Sequence, residues 1–180
     1  MTAIGEAVKF ESEGAFRDWV QSELSRQLDS GDGSYVVLRS KNVNDIIICR
    51  ESPAPSIAVF IEVKYAKASS GRIGVGDSRG GGFQPEILIR RPAYFEQFTR
   101  WLVASEVGVA VLADSETVRR HAVGGEFREG KQNNVQPHLI SGENGAFLLA
   151  DAPVRIIEWL TSLAGVAQAA APDGRSGQER

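Results

Sequence analysis

The segment from residue 57 to residue 65, Ile-Ala-Val-Phe-Ile-Glu-Val-Lys-Tyr, constrains the fold of this chain most. Its β-branched and aromatic residues predict a strand, and its apolar character predicts that much of this strand is buried. Glu62 and Lys64 lie two positions apart in it, so both side chains point to the same face. A carboxylate and an ammonium group in such a strand are costly unless they are paired or used chemically.

An amphipathic helix and two further strands are predicted before this segment. The helix runs from about residue 13 to residue 28, because apolar residues recur every four positions at Phe16, Val20, Leu24 and Leu28. Strands follow at 35–38 and 45–49, and a Pro-containing turn at 52–55 joins the second of these to the 57–65 strand. Two strands joined by so short a turn predict an antiparallel hairpin.

The rest of the chain predicts a crossover followed by a small C-terminal part. After a Gly-rich loop at 68–83, we expect a helix from Pro85 to about Ala104, interrupted at Pro92, with Trp101 in its core face. The apolar run 107–112 predicts a buried strand that completes the crossover. Polar loops, and at most a short hairpin, are expected at 117–144 and a strand at 146–150. A last helix is expected after Asp151, with Pro153 in its first turn and an apolar stripe of Val154, Ile157 and Leu160.

These elements predict one α/β domain over residues 1–168, followed by a disordered tail at 169–180. The chain has 180 residues and a single cysteine, Cys49, so an internal disulfide or a Cys-rich zinc site is excluded. Two histidines cannot form a multi-His metal site by themselves. With no apolar run long enough for a bilayer and no signal-peptide pattern, we expect a cytoplasmic protein with no membrane partner.

The net charge of -3 hides an uneven distribution. Between residues 39 and 91 there are nine basic and five acidic residues, a local charge of +4. This basic segment contains the charged strand and the Gly-rich loop, in which basic residues alternate with glycine. We interpret the loop as a surface for nucleic-acid phosphates and bases. The candidate contacts are Lys41, Lys67, Arg72 and Arg79.

Asp45, Glu62 and Lys64 form the candidate reactive group. If the two strands form a hairpin, Asp45 lies close to Glu62, and two neighbouring carboxylates repel each other unless a cation lies between them. Oxygen ligands alone favour a hard ion such as Mg²⁺, for which Mn²⁺ can substitute. Lys64 beside the ion could orient or help deprotonate an attacking water. Gln84 could reach the same water or the phosphate, or could simply begin a helix.

Asp45, a spacer, and then Glu62-Val63-Lys64 resembles the PD-(D/E)xK signature of the restriction-endonuclease-like nuclease superfamily. The resemblance covers residues 13 to about 111 and implies an α/β core: a central mixed sheet, made of an antiparallel hairpin plus a parallel strand, flanked by helices. It implies Mg²⁺-dependent hydrolysis of DNA that leaves 5′-phosphate and 3′-hydroxyl ends. It also implies that Asp45, Glu62 and the carbonyl of Val63 hold the metal, joined by a glutamate of the first helix. Glu13 is our candidate for that glutamate, with Glu11 and Glu23 as alternatives.

The resemblance to type II restriction endonucleases leads us to expect a sequence-specific endonuclease that acts on double-stranded DNA as a homodimer. Two other interpretations remain. One is a structure-specific or repair nuclease of the same superfamily, and the other is a DNA-binding module that does not cut. Glu62 and Lys64 could also be a charge pair on a half-exposed strand with no function.

Overall fold

The computed structural model of the protein describes residues 8–29, 35–39, 45–50, 56–67, 71–75 and 84–169. In this part of the chain the helices are α1 (Glu13–Asp29), α2 (Pro92–Phe95), α3 (Ser115–Arg120) and α4 (Ala152–Ala169). The strands are β1 (Tyr35–Arg39), β2 (Ile46–Arg50), β3 (Ile57–Ala66), β4 (Ile73–Gly74), β5 (Thr99–Ser105), β6 (Val109–Ala113), β7 (Asn134–Val135) and β8 (Phe147–Leu148). A π-helical turn spans Glu86–Arg90, and 3-10 turns span Pro137–Leu139, Gly142–Asn144 and Leu149–Asp151.

The described strands form a mixed six-stranded sheet in the order β1-β2-β3-β5-β6-β8, and β4 pairs with β7 in a small second sheet. Within the larger sheet β3 and β5 are parallel, and the other neighbouring pairs are antiparallel. The protein is therefore a mixed α/β fold with an antiparallel hairpin, β2-β3, next to a parallel strand.

The N-terminal half follows the apolar pattern of the sequence. Helix α1 buries Phe16, Val20, Leu24 and Leu28, which are the residues of the predicted stripe. Strands β1, β2 and β3 lie within one residue of their predicted bounds, and β2 and β3 pair antiparallel as expected. These predictions are confirmed because the amphipathic period and the hairpin are both local features of the chain.

The predicted helix from Pro85 to Ala104 is wrong. A π-helical turn and the short helix α2 occupy its first part, and residues Thr99–Ser105 form strand β5 instead. Trp101 is fully buried on this strand, and its Nε1–H donates to Ser115 Oγ at 3.1 Å. Strand pairing with β3 overrides the helical spacing of the aromatic residues.

The parallel neighbour of β3 is therefore β5. The strand predicted at 107–112, which we expected to complete the crossover, is not this neighbour. Residues Val109–Ala113 form β6, which turns back and pairs antiparallel with β5. The polar region after it contains α3 and β7, and β7 pairs with β4, a strand that we did not predict in the Gly-rich segment. The strand expected at 146–150 is reduced to β8.

Helix α4 begins directly after Asp151, as predicted, but its inward face differs from the predicted stripe. Ile156 and Leu160 are buried, whereas Val154 is 47% exposed. None of the described helices is long and apolar enough to cross a membrane. The predicted turn at 52–55, residues 68–70 and 76–83 of the Gly-rich loop and the tail beyond 169 lie outside the described residues.

Two apolar cores lie on the sheet. The first contains the buried residues of α1 and α4 together with Ile46, Val59 and Val63. The second contains Trp101, Val103 and Val111 with residues of β4, β7 and the π-helical turn. Because side chains alternate along a strand, Val63 points into the first core while Glu62 and Lys64 point to the other face.

Candidate active site

Strand β3 extends beyond its hairpin partner, and this overhang carries the candidate site. Pairing of β2 with β3 ends at Ile46 opposite Ile61, whereas β3 continues beside β5 as far as Ala66. The backbone N–H of Val63 donates to Asp45 Oδ2 at 2.8 Å. The backbone N–H of Tyr65 donates to Glu13 Oε2 at 3.2 Å. Two carboxylates thus satisfy backbone donors that a longer β2 would have satisfied.

Glu62 and Lys64 form a buried pair on the overhang. The residues are 4% and 8% exposed, and Lys64 Nζ donates to Glu62 Oε1 at 2.8 Å. Lys64 Nζ also donates to the carbonyl of Val63 at 3.0 Å and lies 3.6 Å from Glu13 Oε1. Gln84 Nε2 donates to Glu62 Oε1. The fold therefore places Glu13, Asp45, Glu62 and Lys64 around one end of the hairpin, with Gln84 beside Glu62.

Burial and charge act in opposite directions on this pair. Burial raises the pKa of Glu62, the charge of Lys64 opposes this change, and the charge of Asp45 reinforces it, so that the pKa is raised overall. Burial alone would lower the pKa of Lys64, but the charges of Glu62, Glu13 and Asp45 outweigh it and raise that pKa to about 12. At neutral pH Lys64 is an ammonium ion, which can donate hydrogen bonds and neutralise negative charge.

The oxygen atoms of the site suit a hard cation in their chemistry. Asp45 and Glu62 supply carboxylates, and the buried Oε1 of Gln84 has no hydrogen-bond partner among the described residues. Burial raises the pKa of Glu62, and a divalent ion beside this carboxylate would favour its charged form. Within the described ranges, however, no three His, Cys, Asp or Glu side chains converge as a metal cluster. The carbonyl of Val63, also a predicted ligand, accepts from Lys64.

Arg17 is a component of the site that we did not predict from sequence. Its guanidinium donates to Asp45 Oδ1 at 3.2 Å, and only 19% of its side chain and 16% of that of Asp45 are exposed. Burial opposes the charged form of Arg17, but the hydrogen bond and charge of Asp45 raise its pKa overall. The signal was present in the sequence, because Arg17 follows Glu13 by one helical turn and so shares its face of α1.

The other predicted residues have mixed positions. Of the three candidate glutamates, Glu13 reaches the site, whereas Glu11 is exposed and Glu23 pairs with Arg26 at 2.6 Å. Lys67 and Arg72, two candidates for DNA contacts, are exposed shortly after β3. The other two, Lys41 and Arg79, lie outside the described residues.

In comparisons with known proteins, neither a protein-family model nor a curated protein sequence matches this chain.

Proposed function

We propose that this protein is a metal-dependent deoxyribonuclease of the PD-(D/E)xK kind, and that it acts as a sequence-specific restriction endonuclease. The observation that carries the proposal is the contact between Lys64 Nζ and Glu62 Oε1 at 2.8 Å, on a strand overhang where Asp45 accepts the backbone N–H of Val63, the residue between them. An acid, a second acid and a lysine brought together on a hairpin are the residues that the signature requires. The order α1, hairpin β2-β3 and parallel strand β5 also agrees with the core that the resemblance implies.

The proposed mechanism assigns each side chain a separate task. Asp45, Glu62 and Gln84 Oε1, which has no hydrogen-bond partner within the described part of the chain, would hold Mg²⁺. The bound ion would polarise a phosphoryl oxygen and lower the pKa of a coordinated water. Lys64, protonated at neutral pH, donates a hydrogen bond to the nucleophile or to a phosphate oxygen and stabilises the negative charge that develops there. Glu13 keeps the ammonium of Lys64 near the site through a 3.6 Å ion pair.

The proposed substrate is double-stranded DNA, with Lys67 and Arg72 as phosphate contacts that adjoin the site strand. A chain with one site needs a second copy to cut both strands, so the proposed active form is a two-fold dimer in the cytoplasm. The mass of the protein in solution, measured by light scattering with and without DNA, tests whether it forms this dimer.

A plasmid cleavage assay tests the activity. The protein is incubated with supercoiled plasmid and Mg²⁺, and parallel reactions contain EDTA or the variants Lys64→Met and Arg155→Gln. We expect discrete fragments from the wild type and from Arg155→Gln, which changes an exposed residue of α4 that pairs with Glu158. We expect none with EDTA or from Lys64→Met. Absence of cleavage of duplex and single-stranded DNA in both Mg²⁺ and Mn²⁺ would refute the proposal.

A second candidate, a DNA-binding module that does not cut, is favoured by one observation. The carboxylates of Asp45 and Glu62 already contact Arg17 and Lys64, so two ion pairs balance their charge without any metal. Such a protein would bind duplex DNA with an affinity that falls with salt, as expected for phosphate contacts, and would leave the DNA intact. Cutting at the branch points of branched DNA, without preference for a sequence, would instead favour a structure-specific nuclease.

A further inference from the structure

Asp45 uses its two oxygens for different purposes. Oδ2 accepts the backbone N–H of Val63 at 2.8 Å and so belongs to the edge of β3. Oδ1 accepts from Arg17 Nη1 at 3.2 Å. A cation that binds Asp45 through Oδ1 leaves the hydrogen bond at the strand edge untouched, and Oδ1 is the atom that Arg17 contacts.

Binding of both Arg17 and a divalent cation to Asp45 Oδ1 is electrostatically unfavourable. A guanidinium and a metal ion on the same oxygen are like charges a few ångströms apart, and both side chains here are mostly withdrawn from solvent, which weakens screening. Arg17 also has a second carboxylate within reach. Its Nε lies 3.4 Å from Asp18 Oδ1, and the side chain of Asp18 is 52% exposed. Arg39 Nη1 also lies 3.5 Å from this oxygen. The guanidinium can thus leave Asp45 without losing every anionic partner.

We propose that Arg17 is a built-in competitor of the divalent cation at Asp45 Oδ1, and that DNA favours cation binding by drawing Arg17 onto a backbone phosphate. This inference rests on the proposed function. In the free protein Arg17 compensates the charge of Asp45. A phosphate is a good alternative partner, because the planar guanidinium fork matches its oxygens. Cation binding and DNA binding are then coupled positively through a single side chain.

A metal titration without DNA tests the competition separately from catalysis. Mn²⁺ is added to the protein, and the free ion is measured by electron paramagnetic resonance for the wild type, Arg17→Gln, Arg17→Lys, Glu62→Gln and Arg26→Gln. Removing the competing charge should tighten Mn²⁺ binding by about tenfold in Arg17→Gln. Arg17→Lys should stay within about threefold of the wild type, because it keeps the charge. Arg26→Gln, at a 68% exposed position on the same helix, should not change the affinity.

DNA affinity provides the second measurement. In the presence of Mn²⁺ at 4 °C, with a duplex too short to contain a cut site, Arg17→Gln should bind several-fold more weakly than the wild type. Its salt slope should be smaller by about one, corresponding to one lost phosphate contact. Circular dichroism of each variant shows whether it is folded. Where Arg17→Gln does not fold, Arg17→Met, which also removes the charge, is measured in its place.

The outcomes separate this inference from the function on which it rests. Mn²⁺ binding that is lost in Glu62→Gln but equal in the wild type and Arg17→Gln would overturn the competition and leave the nuclease proposal standing. Weaker Mn²⁺ binding in Arg17→Gln would also overturn it. Absence of Mn²⁺ binding in the wild type and in Arg17→Gln would overturn both.

Discussion

The backbone N–H of Val63 donates to Asp45 Oδ2 at 2.8 Å, so the carboxylate that we predict as a metal ligand also satisfies a backbone donor at the edge of strand β3. This contact gives Asp45 a structural role that does not depend on any metal. Glu13 has the same relationship to the N–H of Tyr65, at 3.2 Å. Structural and catalytic roles can be separated by choosing substitutions that keep one and remove the other.

Asp45→Asn and Asp45→Ala should differ in stability but not in activity. Asparagine keeps an oxygen for the N–H of Val63, whereas alanine leaves that part-buried donor unsatisfied, at a cost of about 1–3 kcal/mol. Both variants lose the negative charge that would hold Mg²⁺, so both should cleave DNA at least about 100-fold more slowly. Urea unfolding and single-turnover cleavage measure the two effects. Equal stability of the two variants would contradict the strand-edge role.

The buried pair of Glu62 and Lys64 should make stability depend on both partners. Lys64→Met leaves a buried carboxylate without its cation and should cost about 3–5 kcal/mol of unfolding free energy. The double variant Glu62→Leu with Lys64→Met removes both charges and should be at least about 1 kcal/mol more stable than Lys64→Met alone. Urea unfolding of the three proteins checks this, and a double variant that is less stable than Lys64→Met would contradict it.

The same pair has a signature at high pH. Burial lowers the pKa of Lys64, but nearby carboxylates outweigh it and raise the pKa from 10.5 to about 12. When the pKa of a group is higher in the folded than in the unfolded state, its contribution to stability is complete below the unfolded pKa. That contribution is lost as the pH rises through the folded pKa. The stability difference between the wild type and Lys64→Met should therefore shrink between pH 10.5 and about 12. A difference that stays constant over this window would show that the pair does not stabilise charged Lys64.

Asp114 should give stability that disappears in acid. It caps α3 by accepting the N–H of Thr117 at 2.7 Å. Burial works to raise the pKa of Asp114, but the hydrogen bonds from Thr117 and the charges of Arg100 and Arg120 lower it overall. When the pKa of a group is lower in the folded than in the unfolded state, its contribution to stability is complete above the unfolded pKa. That contribution is lost as the pH falls through the folded pKa.

Asp114→Asn is the matched control, because asparagine caps a helix about as well as aspartate but does not titrate. The wild type should lose its advantage over Asp114→Asn as pH falls below the ordinary aspartate value of 3.8. Asp114→Ala should cost about 1 kcal/mol at neutral pH. Thermal melts across pH measure both quantities, and an advantage that persists at the lowest pH would argue against charged capping.

The buried hydrogen bond between Trp101 and Ser115 tests the position of β5. Ser115→Ala leaves the indole N–H buried without a partner and should cost about 1–3 kcal/mol. In the background of Trp101→Phe, which has no N–H, the same change should cost less than about 0.5 kcal/mol. A double-mutant cycle by urea unfolding gives the coupling. Equal costs in the two backgrounds would place Trp101 elsewhere.

The sequence predicted the part of the fold that depends on local pattern. The period of α1 and the strand patterns of β2 and β3 are visible in consecutive residues, and the pairing of the two strands brings Asp45 close to Glu62 and Lys64. Strand β5 could not be predicted in this way. Phe95, Phe98 and Leu102 have the spacing of a helix, and the strand forms only because the second edge of β3 binds it across a long connection.

The contacts of the candidate site were only partly predictable for the same reason. Glu62 and Lys64 share a face in any strand, so their pairing follows from local geometry. The reach of Arg17 to Asp45 depends on how α1 packs against the end of the hairpin, which is a tertiary relationship. Gln84 reaches Glu62 from the segment before the π-helical turn, a geometry that the predicted regular helix did not contain.

The chemistry of the DNA ends shows whether the protein hydrolyses DNA in the proposed way. Plasmid fragments made by the protein in Mg²⁺ are offered to DNA ligase without prior phosphorylation, and the same is done with a Lys64→Met reaction at equal folded concentration. We expect fragments that rejoin, because the proposed hydrolysis would leave 5′-phosphate and 3′-hydroxyl ends, and we expect intact plasmid with Lys64→Met. Uncut plasmid with the wild type, or equal cutting by Lys64→Met, would contradict it.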